Sequence, residues 1–422
     1  MAEFKFIHAA DLHIESPYRG ISNWNKSLGK ALVNHGSRAY DKLIDTCIEE
    51  QIDFLVIAGD SFDSDSGSLA AQYRFYSGLK RLYDHNIKAF VICGNHDPLS
   101  KWAENFTLPD NVTLFEADEV QQEMFAKDGK ELAAIYGVSY GQQEEYRRLV
   151  ELFKRSDQAE FSIALLHGTF AGRRAHTPYC PFDLGQLKAS NMDYWALGHI
   201  HKREIIHETN PTVVYSGNLQ GRHFNEEGEK GCYVVEVKNG TIEEMRFKPL
   251  SDVIFQRREM DATAIENTED FFTALNDLRN TLKTDERSYM IRLTFTGMTP
   301  FYNVLTNHTE IDQLVQQFNS ENDYSQPFVF LDKIENKAIP VIDLEERKQS
   351  SDFIADLIRN FDTHEVDETM LLKLQETIME EINTGKVGRS TDTLSNPEEL
   401  KSVLNSAKWK CITGLIGGKS ER

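Results

Sequence analysis

The sequence predicts an α/β protein in three parts: a sheet domain flanked by helices over residues 1–250, a small α/β domain over 251–340, and a helical region over 341–422. Three observations carry this reading. Short apolar runs alternate with helical patterns through the first half, as in sheets covered by helices. From Asp252 the same alternation repeats on a smaller scale. After Pro340 only helical periodicity remains.

In order, the clearest apolar runs are Phe4–Ala10, Phe54–Ala58, Lys88–Cys93, Phe161–Leu166 and Tyr194–Leu197. Most are nearly continuous in apolar residues, which suits strands buried on both faces. Between them Ala39, Leu43, Ile44, Cys47 and Ile48 recur at helical spacing, as do Leu69, Tyr73, Tyr76, Leu79 and Tyr83. Strands are expected to dominate from Val213 to about Phe247, with turn signals at Asn218, Gly228 and Asn239-Gly240. The next part reads as strand (Val253–Glu259), helix (Thr268–Leu282), strand (Tyr289–Phe295), helix (Glu310–Phe318) and strand (Phe328–Ile334). In the last part Phe353, Ile354, Leu357, Ile358 and Phe361 form one apolar stripe, and Met370, Leu371, Leu374, Ile378 and Ile382 a second. A polar stretch from Asn383 to Ser395 separates them from a final helix, with Asn396 as N-cap, Pro397 at its first position and a stop near Gly417. The sequence contains no internal repeat and no low-complexity tract.

The chain of 422 residues is 40% apolar and 27% charged, enough for a sizeable core and two or three domains. Its five cysteines (Cys47, Cys93, Cys180, Cys232, Cys411) are scattered, with no C-x-x-C pair, which argues against a disulfide framework or zinc ribbon and points to a reducing cytoplasm. The first residues read as a strand, not a signal peptide, and no apolar run approaches the roughly 20 residues that span a bilayer, so a cytoplasmic protein without a membrane segment is expected. The net charge of −21 argues against broad contact with a polyanion. Any phosphate-rich ligand must be met locally, through metal, or jointly with a partner.

Each major run ends in metal-binding chemistry. Phe4–Ala10 leads into Asp11-Leu12-His13, and Phe54–Ala58 into Gly59-Asp60-Ser61-Phe62-Asp63. Lys88–Cys93 leads into Gly94-Asn95-His96-Asp97, Phe161–Leu166 into His167-Gly168, and Tyr194–Leu197 into Gly198-His199-Ile200-His201. Sheets of this kind place ligands at the carboxyl ends of their strands, so five loops can deliver Asp, Asn and His to one spot. A carboxylate can bridge two ions, while imidazole and amide oxygen complete each shell. Without thiolate the set favours manganese, iron or zinc. Two such ions roughly 4 Å apart can bind a phosphate and activate a water for in-line attack.

This ordered set, D-x-H, G-D-x-x-D, G-N-H-D, H-G and G-H-x-H, resembles the calcineurin-like metallophosphoesterase superfamily. The text His8-Ala9-Ala10-Asp11-Leu12-His13 with Ser16-Pro17, and Gly198-His199-Ile200-His201-Lys202, looks like its DNA-repair exonuclease branch, the SbcD-like proteins, and among these the YhaO type. The resemblance covers roughly residues 4–235. It implies a two-layer β-sandwich flanked by helices, a small α/β cap and a helical C-terminal region. It further implies two divalent metals, manganese foremost, with Asp11, His13, Asp60 and His201 on the first and Asp60, Asn95, His167 and His199 on the second. His96 matches the residue that stabilises the scissile phosphate or protonates the leaving oxygen, and Asp97 is placed to orient it. DNA is the implied substrate and a coiled-coil ABC-type ATPase subunit (SbcC-like or YhaN-like) the implied partner. A homodimer is expected through helices near 68–86 and 98–106.

Outside the motifs, Arg173, Arg174, Lys202, Arg203, Arg222 and His223 follow closely on metal loops or on Ser216-Gly217-Asn218, and are candidates for guiding a phosphate backbone. Solvated loop charges explain them equally well. Asp63 and Asp97 fit either a turn or a carboxylate behind the metal ligands, and His8 reads as a structural strand residue. The apolar faces of the last helices, including Leu400, Val403, Leu404, Ala407, Trp409, Ile412, Leu415 and Ile416, are wide enough to dock a partner helix. Two rival functions stand beside the nuclease: a phosphoesterase of nucleotides or cyclic nucleotides, and a non-catalytic scaffold.

Overall fold

A computed structural model describes residues 3–22, 25–63, 67–102, 106–155, 159–171, 178–366, 369, 371, 373, 376–377 and 397–417. Two compact units are present. One takes Met1–Arg257, Leu282–Ile291 and Asn322–Phe330; the other takes Arg258–Thr281, Arg292–Glu321 and Leu331–Arg422.

The first unit is built on twelve strands: β1 (Glu3–Ala9), β2 (Phe54–Ala58), β3 (Lys88–Ile92), β4 (Val112–Leu114), β5 (Gln121–Lys127), β6 (Lys130–Gly137), β7 (Phe161–His167), β8 (Tyr194–Gly198), β9 (Glu204–His207), β10 (Thr212–Tyr215), β11 (Gly231–Lys238) and β12 (Thr241–Pro249). They form two six-stranded sheets, ordered β12-β11-β1-β2-β3-β4 and β5-β6-β7-β8-β10-β9. Within the first sheet β1 to β4 run parallel, and within the second β6, β7, β8 and β10 do.

Period-two alternation sends the two faces of each strand into different cores. Phe4 and Phe6 of β1 join Phe54, Val56, Phe90, Phe125, Phe161, Ile163 and Tyr194 in a core shared by both sheets. Ile7 and Ala9 of the same strand pack on the other side, with Leu43, Ile44 and Cys47 of the helix Lys26–Glu49 and Phe75 and Leu79 of the helix Leu69–Asp84. A third core, holding Tyr136, Leu166 and Trp195 against Leu149, Phe153 and Leu187, covers the outer face of the second sheet. Each sheet is therefore apolar on both faces, which is why its strands read as continuous apolar runs. The helices start where side chains accept otherwise unpaired amides: Asn25 from Leu28 N and Ser68 from Ala71 N.

One expectation is refined and one corrected here. Strands take just over half of the stretch 213–247, and residues 216–230 form one long loop between β10 and β11. Its first half, residues 216–221, is buried and holds its shape by side chains bonding backbone, Asn218 Nδ2 to Gln220 O (2.8 Å) and Gln220 Nε2 to Val253 O (2.7 Å), a local order that apolar periodicity does not register. Near 98–106 there is a single 3₁₀ turn, Leu99–Lys101, where a helix was expected; 103–105 lie outside the described residues. Pro98 opens it, and Leu99 N and Ser100 N bond to Tyr140 O and Gly141 O, which draws the segment onto the body of the domain instead of into a longer helix.

The remaining elements follow the expected order. Strands Val253–Asp261, Ser288–Thr296 and Val329–Asn336 form one sheet, with helices Thr268–Leu282 and His308–Ser320 between them. Further on, the helices Phe353–Val366 and Pro397–Gly417 pack on each other: Leu371, Leu400 and Leu404 cluster with Phe361, and Asp362 pairs with both Lys348 and Lys408. Part of the apolar face assigned to a partner is thus used within the chain, while Phe353, Val403 and Leu415 stay exposed. Of the second expected stripe only Leu371 has a described side chain; Met370, Leu374, Ile378, Ile382 and the expected N-cap Asn396 lie outside the described residues. No helix among the described residues is long and apolar enough to cross a membrane.

Candidate metal centre

Parallel pairing sets the carboxyl ends of β1, β2 and β3 side by side in one sheet, and those of β7 and β8 in the other. The loops leaving them carry every ligand expected from the sequence. They are stitched together through the backbone, Asp11 N to Gly59 O at 3.0 Å and His13 N to Asp60 O at 3.1 Å. Asp11, His13, Asp60 and His199 all have positive φ (50°, 43°, 53° and 95°), a conformation that costs a non-glycine residue roughly 1–3 kcal/mol and concentrates at functional sites. Glycine is required where the loops crowd: a Cβ on Gly94 would lie 2.2 Å from Asp60 Oδ1, and one on Gly198 1.9 Å from Ala58 O.

Seven side chains converge in two groups that share Asp60. In the first, His201 Nε2 stands 3.1 Å from His13 Nε2 and 3.9 Å from Asp11 Oδ1, and His13 Nε2 is 3.9 Å from Asp60 Oδ2. In the second, His167 Nε2 is 3.4 Å from Asp60 Oδ2 and 3.0 Å from Asn95 Oδ1, and Asn95 Oδ1 is 3.0 Å from His199 Nδ1. Three histidines are fixed from behind. His201 Nδ1 donates to Glu226 (2.6 Å) and His167 Nδ1 to Ala58 O (3.0 Å), while His13 Nδ1 is paired at 2.7 Å with the Asp63 carboxylate. Each bond leaves the Nε2 lone pair of a neutral ring facing the centre.

The lone pairs of His13 and His201 therefore meet head-on, and that of His167 meets two oxygens. Such an arrangement is repulsive unless protons or metal cations lie among the donors. Separations of about 3 Å are also the donor–donor edges of a shell with bonds of roughly 2.0–2.2 Å. The electrostatics agree. Burial, then the charge of Arg222, push His13 down to about 3, so its ring is neutral. Burial alone would raise Asp60, but the imidazoles of His167, His96 and His13 hold it well below the ordinary carboxylate range. Burial opposes charging of His167, yet Asp60 and Asp11 carry it up to about 9, the sign of a spot that calls for positive charge. The residues fit two divalent cations: Asp11, His13, Asp60 and His201 around one; Asp60, Asn95, His167 and His199 around the other.

His96 stands beside this set. Its backbone N–H donates to Asp60 Oδ1 (2.9 Å), its ring meets His13 edge-on, and its Nδ1 lies 3.4 Å from Asp63 Oδ1, with 37% of the side chain exposed. The carboxylate next to it is Asp63, not Asp97. Asp97 is turned inward and accepts from Gly94 N (2.8 Å), Ser61 N (2.7 Å) and Asp60 N (3.2 Å), clamping two metal loops to each other. Burial and the neighbouring Asp60 charge push its pKa up to about 8.

The candidate basic residues divide. Arg222 reaches the site, with Nη1 3.4 Å from Asp63 Oδ1 and Nη2 3.7 Å from Glu226 Oε1, so its charge is largely answered by those carboxylates. His223 is exposed, its Nε2 3.4 Å from Glu226. Arg203 is exposed and lies over Phe247 of β12, its guanidinium carbon 3.6 Å from the ring centre. Lys202 is exposed, and Arg173 and Arg174 lie outside the described residues. His8 is a buried strand residue whose Nδ1 meets the Tyr194 hydroxyl at 3.0 Å.

Sequence reasoning missed Glu226. It sits in the loop read as strand, 5% exposed, with its second oxygen accepting from Asn218 Nδ2 (2.9 Å) and Arg222 N (2.8 Å). An isolated glutamate in an acidic chain carries no signal; only the fold brings it behind His201.

This fold and donor set define a metal-dependent phosphoester hydrolase, and the family model of the calcineurin-like phosphoesterases matches residues 4–203. The chain belongs to the calcineurin-like metallophosphoesterase family. It is 34% identical over 342 residues to the metallophosphoesterase YhaO of Bacillus subtilis (strain 168), covering 80% of this chain and 84% of that one. It is also similar to the DNA double-strand break repair proteins Mre11 of Methanocaldococcus jannaschii (24% over 291 residues, 65% of this chain and 72% of that one) and Thermoplasma acidophilum (26% over 326 residues, 73% and 81%). Among solved structures, TT1561 of Thermus thermophilus matches with a TM-score of 0.35 at 10% identity, covering 58% of this chain and 99% of that one. A dimetal phosphatase of Danio rerio matches with a TM-score of 0.34 at 12% identity, covering 59% and 97%.

Proposed function

We propose that this protein is a two-metal phosphodiesterase that cleaves DNA. The observation that carries the reading is the open imidazole of His96 beside two donor groups joined by Asp60. Two divalent ions, manganese foremost, when bound supply charge for the phosphate oxygens and a nucleophilic water. Asp60 serves both donor groups and fixes their spacing. His96, with Asp63 against its Nδ1, is placed to hand a proton to the leaving oxygen. Asp97 acts one layer back by holding the loops of Asp60 and Asn95 together. DNA as substrate rests on similarity to proteins named for double-strand break repair, and on Arg222 and Lys202 near the metal loops.

In this reading the chain is an exonuclease subunit in the cytoplasm, working as a homodimer with a coiled-coil ABC-type ATPase. The helix Leu69–Asp84, with Leu69, Tyr73 and Tyr83 exposed, is the proposed dimer face; the exposed Phe353, Val403 and Leu415 of the C-terminal helices are proposed to meet the ATPase. A second reading, hydrolysis of nucleotides or cyclic nucleotides, is favoured by the net charge of −21. Assay of end-labelled duplex and single-stranded DNA alongside bis(p-nitrophenyl) phosphate and cyclic nucleotides, with manganese and with chelator, separates them. Manganese-dependent DNA shortening supports the nuclease. Hydrolysis confined to the small esters refutes it.

A further inference from the structure

Behind the first donor group a single guanidinium lies between two carboxylates. Asp63 Oδ1 pairs with His13 Nδ1, and Glu226 Oε1 with His201 Nδ1. Arg222 faces the same two oxygens, with Nη1 3.4 Å from Asp63 Oδ1 and Nη2 3.7 Å from Glu226 Oε1. Nη2 also stands 3.1 Å from His201 Nδ1, so guanidinium and imidazole turn their hydrogens towards one Glu226 oxygen. The main chain at this point is fixed: Arg222 N donates to Glu226 Oε2 (2.8 Å), and Gly221 O accepts from the Tyr18 hydroxyl (3.0 Å). The guanidinium itself is held loosely, since a close ion pair uses roughly 2.7–2.9 Å. Its Nε is buried without a hydrogen-bond partner among the described residues, and such groups are uncommon enough to call for a reason.

We propose that Arg222 is a built-in counter-charge of the first ion's site, which holds Asp63 and Glu226 together when the ion is away and loosens the ion when it is bound. This rests on the two-cation reading of the donors and does not depend on which phosphoester is cut. Two effects act in the same direction. The positive charge of Arg222 opposes a cation among Asp11, His13, Asp60 and His201. It also draws on the two oxygens whose negative charge makes His13 and His201 better donors. The consequence is a site that keeps its shape without its ion and gives the ion up more readily than its ligands alone would. A purely structural brace predicts the opposite sign, because removing it would disorder the ligands and weaken the ion.

The test compares the full-length parent with Arg222→Met, which keeps the stem without the charge, and with Arg222→Lys, which keeps the charge. Arg222→Gln, neutral but able to donate, repeats the comparison should the Met variant fail to fold. Each metal-free protein is titrated with manganese by calorimetry, and melted in chelator and in saturating manganese. In the neutral variants the first manganese step tightens by about fivefold or more, as expected when a unit charge close to a divalent ion is lost. The second step changes less, and Arg222→Lys stays near the parent. In chelator the neutral variants melt below the parent, and manganese narrows the gap because tighter binding adds stabilisation. A first step that weakens, with melting lowered equally in chelator and in manganese, makes Arg222 a brace and overturns the proposal. So does equal tightening in Arg222→Lys, which would remove charge as the cause. Unchanged steps with a raised KM for bis(p-nitrophenyl) phosphate give the guanidinium to the substrate and overturn it as well. A parent that takes up no manganese sinks the two-cation reading itself, and this role of Arg222 with it.

Discussion

The two halves of the metal centre share Asp60 yet differ in what stands behind them. In the half built on Asp11, His13 and His201, both imidazoles lean on carboxylates, Asp63 and Glu226. In the half built on Asn95, His167 and His199, His167 leans on a neutral carbonyl, Ala58 O, and the ligand from β3 is an amide. The first half thus carries more negative charge among its ligands and behind them, tempered by Arg222. Carboxylate partners raise the basicity of a ligating imidazole and hold its tautomer. The expected consequence is asymmetric binding: one ion held tightly, the other exchanging more readily.

The largest effect is expected where the halves meet. Asp60→Ala removes an oxygen donor from both, so metal occupancy falls in both halves and turnover is lost; a variant retaining two tight ions and normal rates would show that Asp60 does not bridge. His96→Ala comes next. Its ring is not among the seven ligands, so turnover of a phosphodiester should drop about a hundredfold or more while calorimetry still finds two ions. His13, Asp63 and His96 also lie close enough to hold an ion of their own, and a lost equivalent in this variant would make His96 a ligand.

Glu226→Gln sharpens the comparison itself. It keeps the shape but removes charge behind His201, so the tighter of two manganese-binding steps should weaken by roughly 10–100-fold and the weaker one stay put. Asn95→Ala is the mirror image, erasing the weaker step. Equal weakening of both steps in both variants would mean the halves do not differ as argued.

The smallest effect lies away from the metals. Asp252 faces Lys42, Arg38 and His35 of the helix Lys26–Glu49, and despite burial these partners hold its pKa at about 2. Because the folded value lies below the unfolded one, the stabilisation is full above about pH 4 and is lost as pH falls towards 2. With Arg38 and Lys42 partly exposed, the contribution is about 1–2 kcal/mol. Asp252→Asn should therefore melt a few degrees lower at pH 6, and the gap to the parent should close towards pH 2. A gap independent of pH would assign the loss to packing.

What the sequence made legible follows a physical rule. Strands buried on both faces read as continuous apolar runs, and a donor side chain at the end of such a run needs no tertiary knowledge to find; Asp11, Asp60, Asn95, His167 and His199 are legible that way as candidate ligands, and the fold brings them together. Glu226 was not, because its role depends on a loop whose order comes from side chains bonding backbone. Asp97 was visible as a residue but misread in role: adjacency to His96 suggested contact, whereas the turn directs its carboxylate to three backbone amides. The ring under Arg203 was not legible either, because Phe247 lies 44 positions away in the chain.

The most direct measurement is a manganese titration of the metal-free parent, followed by calorimetry and electron paramagnetic resonance. Two equivalents per chain, taken up in two unequal steps and ending in an exchange-coupled spectrum, are expected from two shells joined through Asp60. A single equivalent with an uncoupled six-line signal at saturation would contradict the shared-carboxylate centre on which the account rests.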